Sequence, residues 1–308
     1  MDSLEIDHHE IALSNTDKIY FPASRKTKNK GVTKGELIDY YYHIAPTMLP
    51  YLHDRPLTVQ RYPDGITGEA FFQKNAPDYF PVWIKRTAIK DADGGATNYV
   101  LCNDAATLVY MANQGAIVYH VWTSKADTPR YPDRLIFDLD PSGKAGFTLV
   151  RWAAKKLKYI FDLLELTSYV MTTGSRGVHV YVPIQPQYTN EEVTEFARAV
   201  AEYLIGRYPQ KLTLSLPKHG RGDRIFLDIY RNSYAHHGVA PYSVRALPGA
   251  PIATPITWQE LLTKGVKPQD YTIHNIFRRL SKTKDPWKDM ISHAHTLENA
   301  VKKLHSLQ

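Results

Sequence analysis

Two aspartates separated by one residue, Asp138 and Asp140, lie near the end of a short apolar segment that ends at Pro141. Successive side chains on a strand point to opposite faces, so residues 134–141 predict a strand that carries both carboxylates on one face. Two carboxylates this close repel each other unless a cation lies between them or they share a proton. The pair therefore indicates either a site for a hard divalent metal ion or two incidental acids at a solvated strand end.

A third acid, Asp228, lies in a predicted strand over residues 224–230, between two apolar residues. Charged side chains are seldom buried in strands without a partner. Asp228 is therefore either paired with Arg224 or Arg231, or it is a third metal ligand. Three carboxylates on neighbouring strands suit two divalent ions that hold the attacking and leaving oxygens of a phosphoryl transfer.

A glycine-bearing turn at residues 173–177 is predicted between two strands. Glycines let backbone N–H groups approach phosphate oxygens, although many turns share this composition. His179 and His120 each lie on an apolar predicted strand, where a single histidine is more often structural than catalytic. Arg231 and Arg245 suit bidentate phosphate binding, and each equally suits an ordinary ion pair.

The composition favours a soluble protein with a polyanionic partner. The chain has 308 residues, is 43% hydrophobic and 22% charged, and carries a net charge of +7. Its length suits one large domain or two modest ones. The lone Cys102 excludes an intramolecular disulfide and a cysteine-based zinc site, and it fits a reducing cytosol. The sequence contains no apolar run of membrane-spanning length, and the acidic, polar N-terminus does not read as a signal peptide.

A basic segment near the N-terminus is either a solvated loop or a phosphate-binding arm. Residues 24–35 contain five cations and no acid: Arg25, Lys26, Lys28, Lys30 and Lys34. Thr33 and Glu36 form a capping-box pattern, which predicts a helix over residues 34–49. The positive end of that helix would add to an anion site beside the segment.

The remaining pattern predicts alternating strands and helices, with residues 1–31 irregular. Phe71 and Phe72 are adjacent on one predicted strand, so one of them can enter the core while the other is exposed or at a contact. We expect further strands at 57–61, 69–73, 116–122, 169–171, 178–183 and 212–216, and helices at 104–113, 146–165, 189–206, after 257 and in two pieces of the tail.

These motifs, in this order, resemble the polymerase domain of bacterial and archaeal ligase D, the end-joining branch of the archaeo-eukaryotic primase superfamily. The resemblance extends from residue 15 to about residue 290. It rests on residues 33–41, 54–58, 61–65, 71–74, 137–141, 174–179, 228, 239–245 and 248–251.

The resemblance implies an α+β, archaeo-eukaryotic primase-like fold of mixed and antiparallel sheets flanked by helices. It implies a single two-lobed primase-polymerase domain over residues 1–308. Within it we expect a DNA-end-binding lobe over roughly residues 1–115, a catalytic lobe over roughly 116–255 and a helical tail over roughly 256–308.

The resemblance also implies roles for individual residues. The implied catalytic metal ligands are Asp138, Asp140 and Asp228, holding two Mn²⁺ or Mg²⁺ ions. The implied nucleotide pocket is His120, Thr173, Gly174, Ser175, Arg176, His179, Arg231 and Arg245. The implied 5′-phosphate pocket is Asn15, Lys18 and Lys34, and the implied template contacts are Phe71, Phe72 and Arg61.

The implied activity is template-directed extension or filling of 3′ ends at DNA breaks and gaps, using ribo- and deoxynucleotides with a preference for ribonucleotides. The resemblance implies Ku and a DNA ligase as partners. No ligase or nuclease module is recognised in the sequence, so we expect a stand-alone polymerase that needs a separate ligase, with a cytoplasmic, nucleoid-associated location. A de novo primase, a metal-dependent Asp-x-Asp glycosyltransferase and a non-catalytic end-binding scaffold remain alternatives.

Three features depart from the resembled pattern. Position 173 is threonine where the family more often has serine, and position 176 is arginine where lysine is common. Both substitutions keep the chemistry of the side chain. The basic stretch over residues 25–30 looks like an insertion between the two lysines of the implied phosphate pocket.

Overall fold

The computed structural model describes residues 3–23, 31–90, 94–263 and 266–307. Of the basic segment, Arg25, Lys26, Lys28 and Lys30 lie outside this range. The chain forms two units, each built from several stretches. Unit 1 takes its residues from 1–122, 238–253 and 271–282, and unit 2 takes its residues from 123–237, 254–270 and 283–308. The lobes expected from sequence were each one continuous stretch, so their boundaries run differently from those of the units.

The strands in chain order are β1 (Ser3–Ile6), β2 (His9–Ala12), β3 (Ile19–Phe21), β4 (Val32–Thr33), β5 (Pro56–Arg61), β6 (Phe71–Gln73), β7 (Arg86–Lys90), β8 (Ala96–Leu101), β9 (Ala116–Trp122), β10 (Arg134–Pro141), β11 (Tyr169–Thr172), β12 (Val178–Pro183), β13 (Leu212–Thr213), β14 (Ile225–Asp228), β15 (His237–Val239) and β16 (Thr254–Ile256). The helices are α1 (Lys34–Leu52), α2 (Ala105–Asn113), α3 (Phe147–Leu163), α4 (Asn190–Arg207), α5 (Trp258–Leu262), α6 (Ile276–Thr283) and α7 (Glu298–Leu307). Short 3₁₀ turns occur at Lys218–Gly220, Tyr230–Asn232 and Met290–His293. None of the helices in these described ranges is long and apolar enough to cross a bilayer.

Unit 1 is organised by a sheet of order β15-β9-β5-β8-β7, with β6 paired to β5, and by helix α1. The predicted capping box starts α1: Thr33 Oγ1 accepts from Glu36 N at 3.1 Å, and Thr33 N donates to Glu36 Oε2 at 2.7 Å. The helix buries an apolar face, and Tyr41 Oη donates to the Ile117 carbonyl oxygen at 2.7 Å. The tyrosine hydroxyl thereby ties α1 to β9, an interior strand of the sheet.

The prediction that residues 1–31 are irregular is wrong for the described part of that range. β1 and β2 form an antiparallel hairpin, and β3 pairs with β4. The hairpin turns at Asp7 and His8, which have φ angles of 51° and 64°. Tight hairpin turns usually have glycine where the backbone is left-handed. Here Asp7 and His8 occupy those positions, so the sequence lacks the usual glycine signal of a hairpin.

The expectation that Phe71 or Phe72 enters the core is also wrong. Their side chains are 46% and 58% exposed. Both lie on β6, a three-residue strand that pairs with β5 at Val59, Gln60 and Arg61. None of the three residues of β6 is buried, so neither face of this short strand is covered enough to bury a ring.

Unit 2 contains a mixed sheet of order β13-β14-β10-β12-β11-β16. The β13–β14 pair is parallel and the other pairs are antiparallel. α3 packs on the face of β10 that carries Phe137, whose ring lies 5.8 Å from that of Phe161. Side chains alternate along a strand, so Asp138 belongs to the opposite face of the sheet.

Two predicted strands of unit 2 are shorter than expected. β13 ends at Thr213, because Thr213 Oγ1 accepts from Ser215 N at 3.1 Å and the chain turns there. β14 ends at Asp228, because the Asp228 carboxylate accepts from Tyr230 N at 3.0 Å. Short polar side chains that bond to the backbone two residues ahead compete with continued strand pairing.

Asn232 extends the hydrogen bonding of β10 where β14 has ended. Its Oδ1 accepts from Ile136 N at 2.8 Å, and its Nδ2 donates to the carbonyl oxygens of Ile136 and Ile229 at 2.8 and 2.7 Å. The residue is completely buried. A side-chain amide therefore takes the place of a neighbouring strand beside the first half of β10.

We expect Asn232→Ala to lower the free energy of unfolding by about 3–5 kcal/mol, since it leaves buried backbone groups of Ile136 and Ile229 without this partner. Denaturant unfolding of the purified protein measures the change. The matched control is Asn299→Ala on the exposed side of α7, for which we expect a change within about 0.5 kcal/mol. A loss below about 1 kcal/mol for Asn232→Ala would show that the amide does not hold β10.

Candidate active site

The register of β10 places three of the predicted site residues in one row. In the antiparallel ladder, Asp138 lies opposite Asp228 of β14 on one side and opposite His179 of β12 on the other. Directly opposed residues of antiparallel strands have side chains on the same face, a few ångströms apart. Asp140, two residues along β10, shares that face.

Arg231 bridges the two opposed carboxylates. Its Nε lies 3.5 Å from Asp138 Oδ2 and 3.4 Å from Asp228 Oδ2. His179 Nε2 lies 3.4 Å from the same Asp138 oxygen. Asp138, Asp228 and His179 are 7%, 9% and 3% exposed. The row is therefore a largely buried charged cluster that a guanidinium group partly compensates.

The end of β14 explains how Arg231 reaches this position. The Asp228 carboxylate accepts from Tyr230 N, which turns the chain into the 3₁₀ segment Tyr230–Asn232. Arg231 lies on that turn, three residues after Asp228. The Asp228 carboxylate thus shapes the turn that carries its own counter-ion, Arg231. The extended strand predicted over residues 224–230 would not allow this contact.

The cluster shifts the proton equilibria of its members. Burial raises the pKa of Asp140, repulsion from Asp138 adds to the rise, and the positive charge of Arg176 opposes it. Burial likewise raises the pKa of Asp228, against the opposing charge of Arg231. Burial would lower the pKa of Arg231, but the carboxylates of Asp138 and Asp228 raise it. The protein's own cations therefore do not fully compensate the carboxylates, and an additional cation would stabilise their ionised form.

The turn at residues 173–177 is held closed by its first residue. Thr173 N donates to the Gly177 carbonyl oxygen at 3.1 Å, and Thr173 Oγ1 accepts from the N–H groups of Ser175 and Gly177 at 3.3 Å. Gly174 has a φ of 65°. The threonine hydroxyl thus organises the backbone amides of the turn.

Gly177 is a site residue that the sequence analysis did not single out. A Cβ atom there would lie 2.2 Å from the Leu139 carbonyl oxygen, which real structures do not tolerate. The turn can therefore approach β10, between the two aspartates of the pair, because position 177 has no side chain. The signal available in the sequence was the position of this glycine directly before a strand.

A cleft of about 640 Å³ lies beside the turn in unit 2. Its wall includes Ser175, Arg176, Phe147 and Lys267, and Gln269 Nε2 donates to the Ser175 carbonyl oxygen at 3.1 Å. Since Arg176 also acts on the pKa of Asp140, the cleft opens close to the acidic pair. The cations of Arg176 and Lys267 and the aromatic ring of Phe147 at one cleft are suited to a phosphorylated ligand.

The carboxylates of Asp138, Asp140 and Asp228, which we call the acidic row, fit hard divalent cations. Asp138, Asp140 and Asp228 offer carboxylate oxygens, the ligands that Mg²⁺ and Mn²⁺ prefer. Within the described ranges, however, no three His, Cys, Asp or Glu side chains are already gathered around one point that could hold an ion. Arg231 bridges Asp138 and Asp228 instead.

Two predicted nucleotide-pocket residues, His120 and Arg245, belong to unit 1 and not to unit 2. His120 pairs with Thr58 in the β5–β9 ladder, and its ring lies 6.0 Å from that of Phe72. Arg245 N donates to the Pro251 carbonyl oxygen at 2.7 Å. Unit 2 thus brings together Thr173, Gly174, Ser175, Arg176, His179 and Arg231 with the three acids.

Asn15, Lys18 and Lys34 do come together in unit 1. Lys18 N donates to the Asn15 carbonyl oxygen at 3.0 Å, and Lys34 N donates to the Lys18 carbonyl oxygen at 2.8 Å. Lys34 Nζ donates to the carbonyl oxygen and hydroxyl of Ser14 at 2.5 and 3.0 Å. Burial lowers the pKa of Lys34 to about 8, and the positive charge of Lys18 adds to the effect. The two lysines are therefore close enough to repel.

Side chains that the sequence analysis missed hold this lysine pair in place. Asn113 Oδ1 accepts from Ser14 N at 3.2 Å, and Asn113 Nδ2 donates to the Ala12 carbonyl oxygen at 2.9 Å. Asp64 forms an ion pair with Lys18. A contact across about a hundred residues, like that of Asn113, leaves no local pattern in the sequence.

Arg61 makes contacts within unit 1 through most of its guanidinium group. It donates to the Gln114 carbonyl oxygen, to Gln73 Oε1 and to the Tyr79 hydroxyl at 2.7, 2.7 and 3.0 Å. Its Cζ lies 5.3 Å from the centroid of the Phe71 ring. Its expected role as a template contact stays a prediction, and its structural role is to position the exposed rings.

Comparison with solved structures and known proteins identifies the family. The polymerase domain of ligase D from Mycobacterium tuberculosis, solved in complex with DNA, superposes with a TM-score of 0.83 at 27% identity. The match covers 92% of this chain and 99% of that one. The predicted α+β class, with mixed and antiparallel sheets flanked by helices in a primase-like fold, is thereby confirmed.

Sequence relatives are the LigD proteins of bacterial non-homologous end joining. The bifunctional LigD of Bacillus subtilis is 31% identical over 283 residues, covering 92% of this chain and 44% of that protein. The multifunctional LigD of Mycolicibacterium smegmatis is 33% identical over 256 residues, covering 82% of this chain and 33% of that protein. The chain thus spans less than half the length of either relative.

A model of the LigD primase-polymerase domain matches residues 33–287, which is most of the chain. That range contains the acidic row, the turn at residues 173–177 and the basic helix start at Lys34. The chain belongs to the LigD primase-polymerase domain family.

Proposed function

We propose that this protein is a template-directed nucleotidyltransferase that extends or fills 3′ ends at DNA breaks and gaps. The observation that carries the proposal is the row of Asp138, Asp228 and His179, bridged by Arg231 and set beside a phosphate-suited turn. Phosphoryl transfer needs concentrated cationic and hydrogen-bonding groups around phosphate oxygens, together with acids that recruit metal ions.

Asp138, Asp140 and Asp228 would hold two divalent ions, Mn²⁺ or Mg²⁺. Bound ions would supply the positive charge that acidifies a primer 3′-hydroxyl and neutralises a leaving pyrophosphate. The raised pKa values of Asp140 and Asp228 support this role, because the buried acids lack sufficient positive charge among the protein's own groups.

The protein's own cationic side chains would bind the triphosphate. Arg231 uses its Nε toward the two carboxylates, and a guanidinium group carries further N–H donors that suit phosphate oxygens. Arg176 lies at the cleft beside the amides that Thr173 organises. His179 Nδ1 is buried and has no hydrogen-bond partner among the described residues, so its hydrogen-bonding capacity is left for a bound ligand. The roles of His120 and Arg245 stay predictions from the resemblance.

Lys18, Lys34 and Asn15 would bind the 5′-phosphate on the far side of a gap. Two cations held near each other at the N-terminus of α1 form a site that a dianionic group stabilises. Phe71 and Phe72 would contact the template strand through exposed rings. The substrates would be ribo- and deoxynucleoside triphosphates, with ribonucleotides favoured.

The biological setting we propose is non-homologous end joining. The relatives described above are named as non-homologous end joining proteins. Ku would recruit the protein to ends, and a DNA ligase would seal the strand after the gap is filled.

Removing the central charge of the acidic row tests the proposed chemistry. We expect Asp138→Asn to lower the rate of primer extension at least about 100-fold, because the substitution keeps the side-chain shape but removes a metal-ligating charge. Affinity for the gapped duplex should stay within about threefold. The readouts are extension of a labelled primer with Mn²⁺ and anisotropy of the same DNA.

The matched control for this test is Asp162→Asn on the surface of α3, where the acid pairs with Lys158. It should extend primers at the wild-type rate. Wild-type extension by Asp138→Asn would place the chemistry elsewhere.

The lowered pKa of Lys34 predicts a pH dependence of end recognition. Lys34 loses its proton as the pH rises through about 8, while a 5′-phosphate remains dianionic above neutral pH. We therefore expect the preference for 5′-phosphorylated over unphosphorylated gapped DNA to weaken between pH 7 and pH 9.5. The measurement is the ratio of the two dissociation constants at each pH.

Two variants define the outcome of this experiment. Lys34→Met should show a small preference that does not change with pH. The exposed Lys282→Met should behave as wild type. A wild-type preference that stays constant to pH 9.5 would mean that Lys34 does not bind the phosphate.

A further inference from the structure

An exposed tyrosine of unit 1, Tyr79, is joined to Phe71 of the proposed template contact by one guanidinium group. Arg61 donates to the Tyr79 hydroxyl at 3.0 Å, and its Cζ lies 5.3 Å from the Phe71 ring centroid. Arg61 is itself fixed by Gln73 and Gln114. The two rings therefore have a defined spacing that does not depend on a ligand.

The aromatic surface continues beyond Tyr79. Its ring meets Phe80 edge to face at 5.2 Å, and Phe80 meets Tyr110 in the same way at 5.3 Å. Trp83 packs against Tyr110 at 5.9 Å, and His9 stacks on Trp83 at 4.3 Å with the rings nearly parallel. We call this row, from Phe71 through Tyr79 to His9, the aromatic strip.

The strip is exposed at Phe71 and Tyr79, whereas Phe80 is buried and His9, Trp83 and Tyr110 are half-buried. Tyr79 is 62% exposed, and the nearby Val82 is 99% exposed. Clusters of exposed rings on a folded protein commonly mark interaction sites. Buried members such as Phe80 explain how the strip is anchored, while Tyr79 gains little burial for its size.

The charges around the strip favour a polyanion. Residues 71–90 contain one acid, Asp78, and four cations: Lys74, Lys85, Arg86 and Lys90. Lys85 pairs with Asp54 at 2.9 Å, and the other three cations still outnumber the acid. Arg86 donates to the Phe80 carbonyl oxygen at 2.6 Å. Burial raises the pKa of Tyr110, and the nearby charges of Arg61 and Arg86 oppose that rise. Guanidinium groups therefore run alongside the rings, a combination typical of single-stranded nucleic-acid binding surfaces.

We propose that the aromatic strip binds unpaired bases of the template strand and that Tyr79 stacks on one of them. This inference rests on the proposed function and extends its template contact from the Phe71–Phe72 pair to a run of several bases. Stacking on an aromatic ring tolerates any base, as a template-reading surface requires.

The test compares binding to two DNAs by fluorescence anisotropy. Both contain the same duplex, one blunt and the other carrying six unpaired template nucleotides. We expect Tyr79→Ala to weaken binding to the overhang DNA by about 5- to 150-fold, the range for loss of one base–ring stack. Binding to the blunt duplex should change less than about twofold. Tyr79→Phe keeps the ring and should bind both DNAs nearly as wild type.

The matched control is Tyr159→Ala on α3 of unit 2, since Tyr159 is also 62% exposed. It should bind both DNAs as wild type. The proposal is overturned if Tyr79→Ala binds the overhang DNA like wild type, if it loses equal affinity for both DNAs, or if Tyr79→Phe loses as much as Tyr79→Ala. Thermal unfolding of each variant verifies folding.

A separate assay distinguishes this inference from the proposed function. Filling of a one-nucleotide gap by the wild-type protein tests the proposed function on a substrate that offers no run of unpaired template bases. If the wild-type protein fills the gap while Tyr79→Ala shows no overhang defect, the inference fails and the proposed function stands. If the wild-type protein adds no nucleotide, the proposed function fails whatever the binding result.

Discussion

The antiparallel register of β10 is the constraint on which the site depends. Asp138 lies opposite both Asp228 and His179 because β10 pairs with β14 on one side and with β12 on the other. A shift of one residue in either ladder would turn the partner side chain to the other face of the sheet. Asn232, which bonds to both backbone groups of Ile136, and Gly177, which lets the turn approach Leu139, both act on β10.

Burying like charges together is unfavourable unless a cation compensates them. Arg231 supplies part of that compensation between Asp138 and Asp228, yet burial still raises the pKa of Asp228 and Asp140. The structure therefore keeps carboxylates in a state that favours additional positive charge. An apolar or fully paired arrangement would be more stable and would have no reason to bind ions. The same reasoning applies with opposite sign to Lys34 and Lys18.

Local patterns in the sequence were sufficient to predict some of the elements that carry the site. The alternation around Asp138 predicted β10 with the bounds found, and the Thr33–Glu36 pattern predicted the start of α1. The pairing of Asp138 with Asp228 could not be derived, because register depends on contacts across about ninety residues. The Arg231 bridge required the turn after Asp228, and the β1–β2 hairpin lacked a glycine signal. The roles of the acids still depend on the family resemblance.

The most direct measurement is the template dependence of nucleotide addition by the wild-type protein. A 5′-phosphorylated duplex with a one-nucleotide gap would be prepared with each of the four template bases and offered each nucleotide separately with Mn²⁺. If the acidic row performs templated nucleotidyl transfer, the complementary nucleotide is added preferentially opposite every base. Addition of the same nucleotide whatever the template, or no addition with any of the four, would contradict the account.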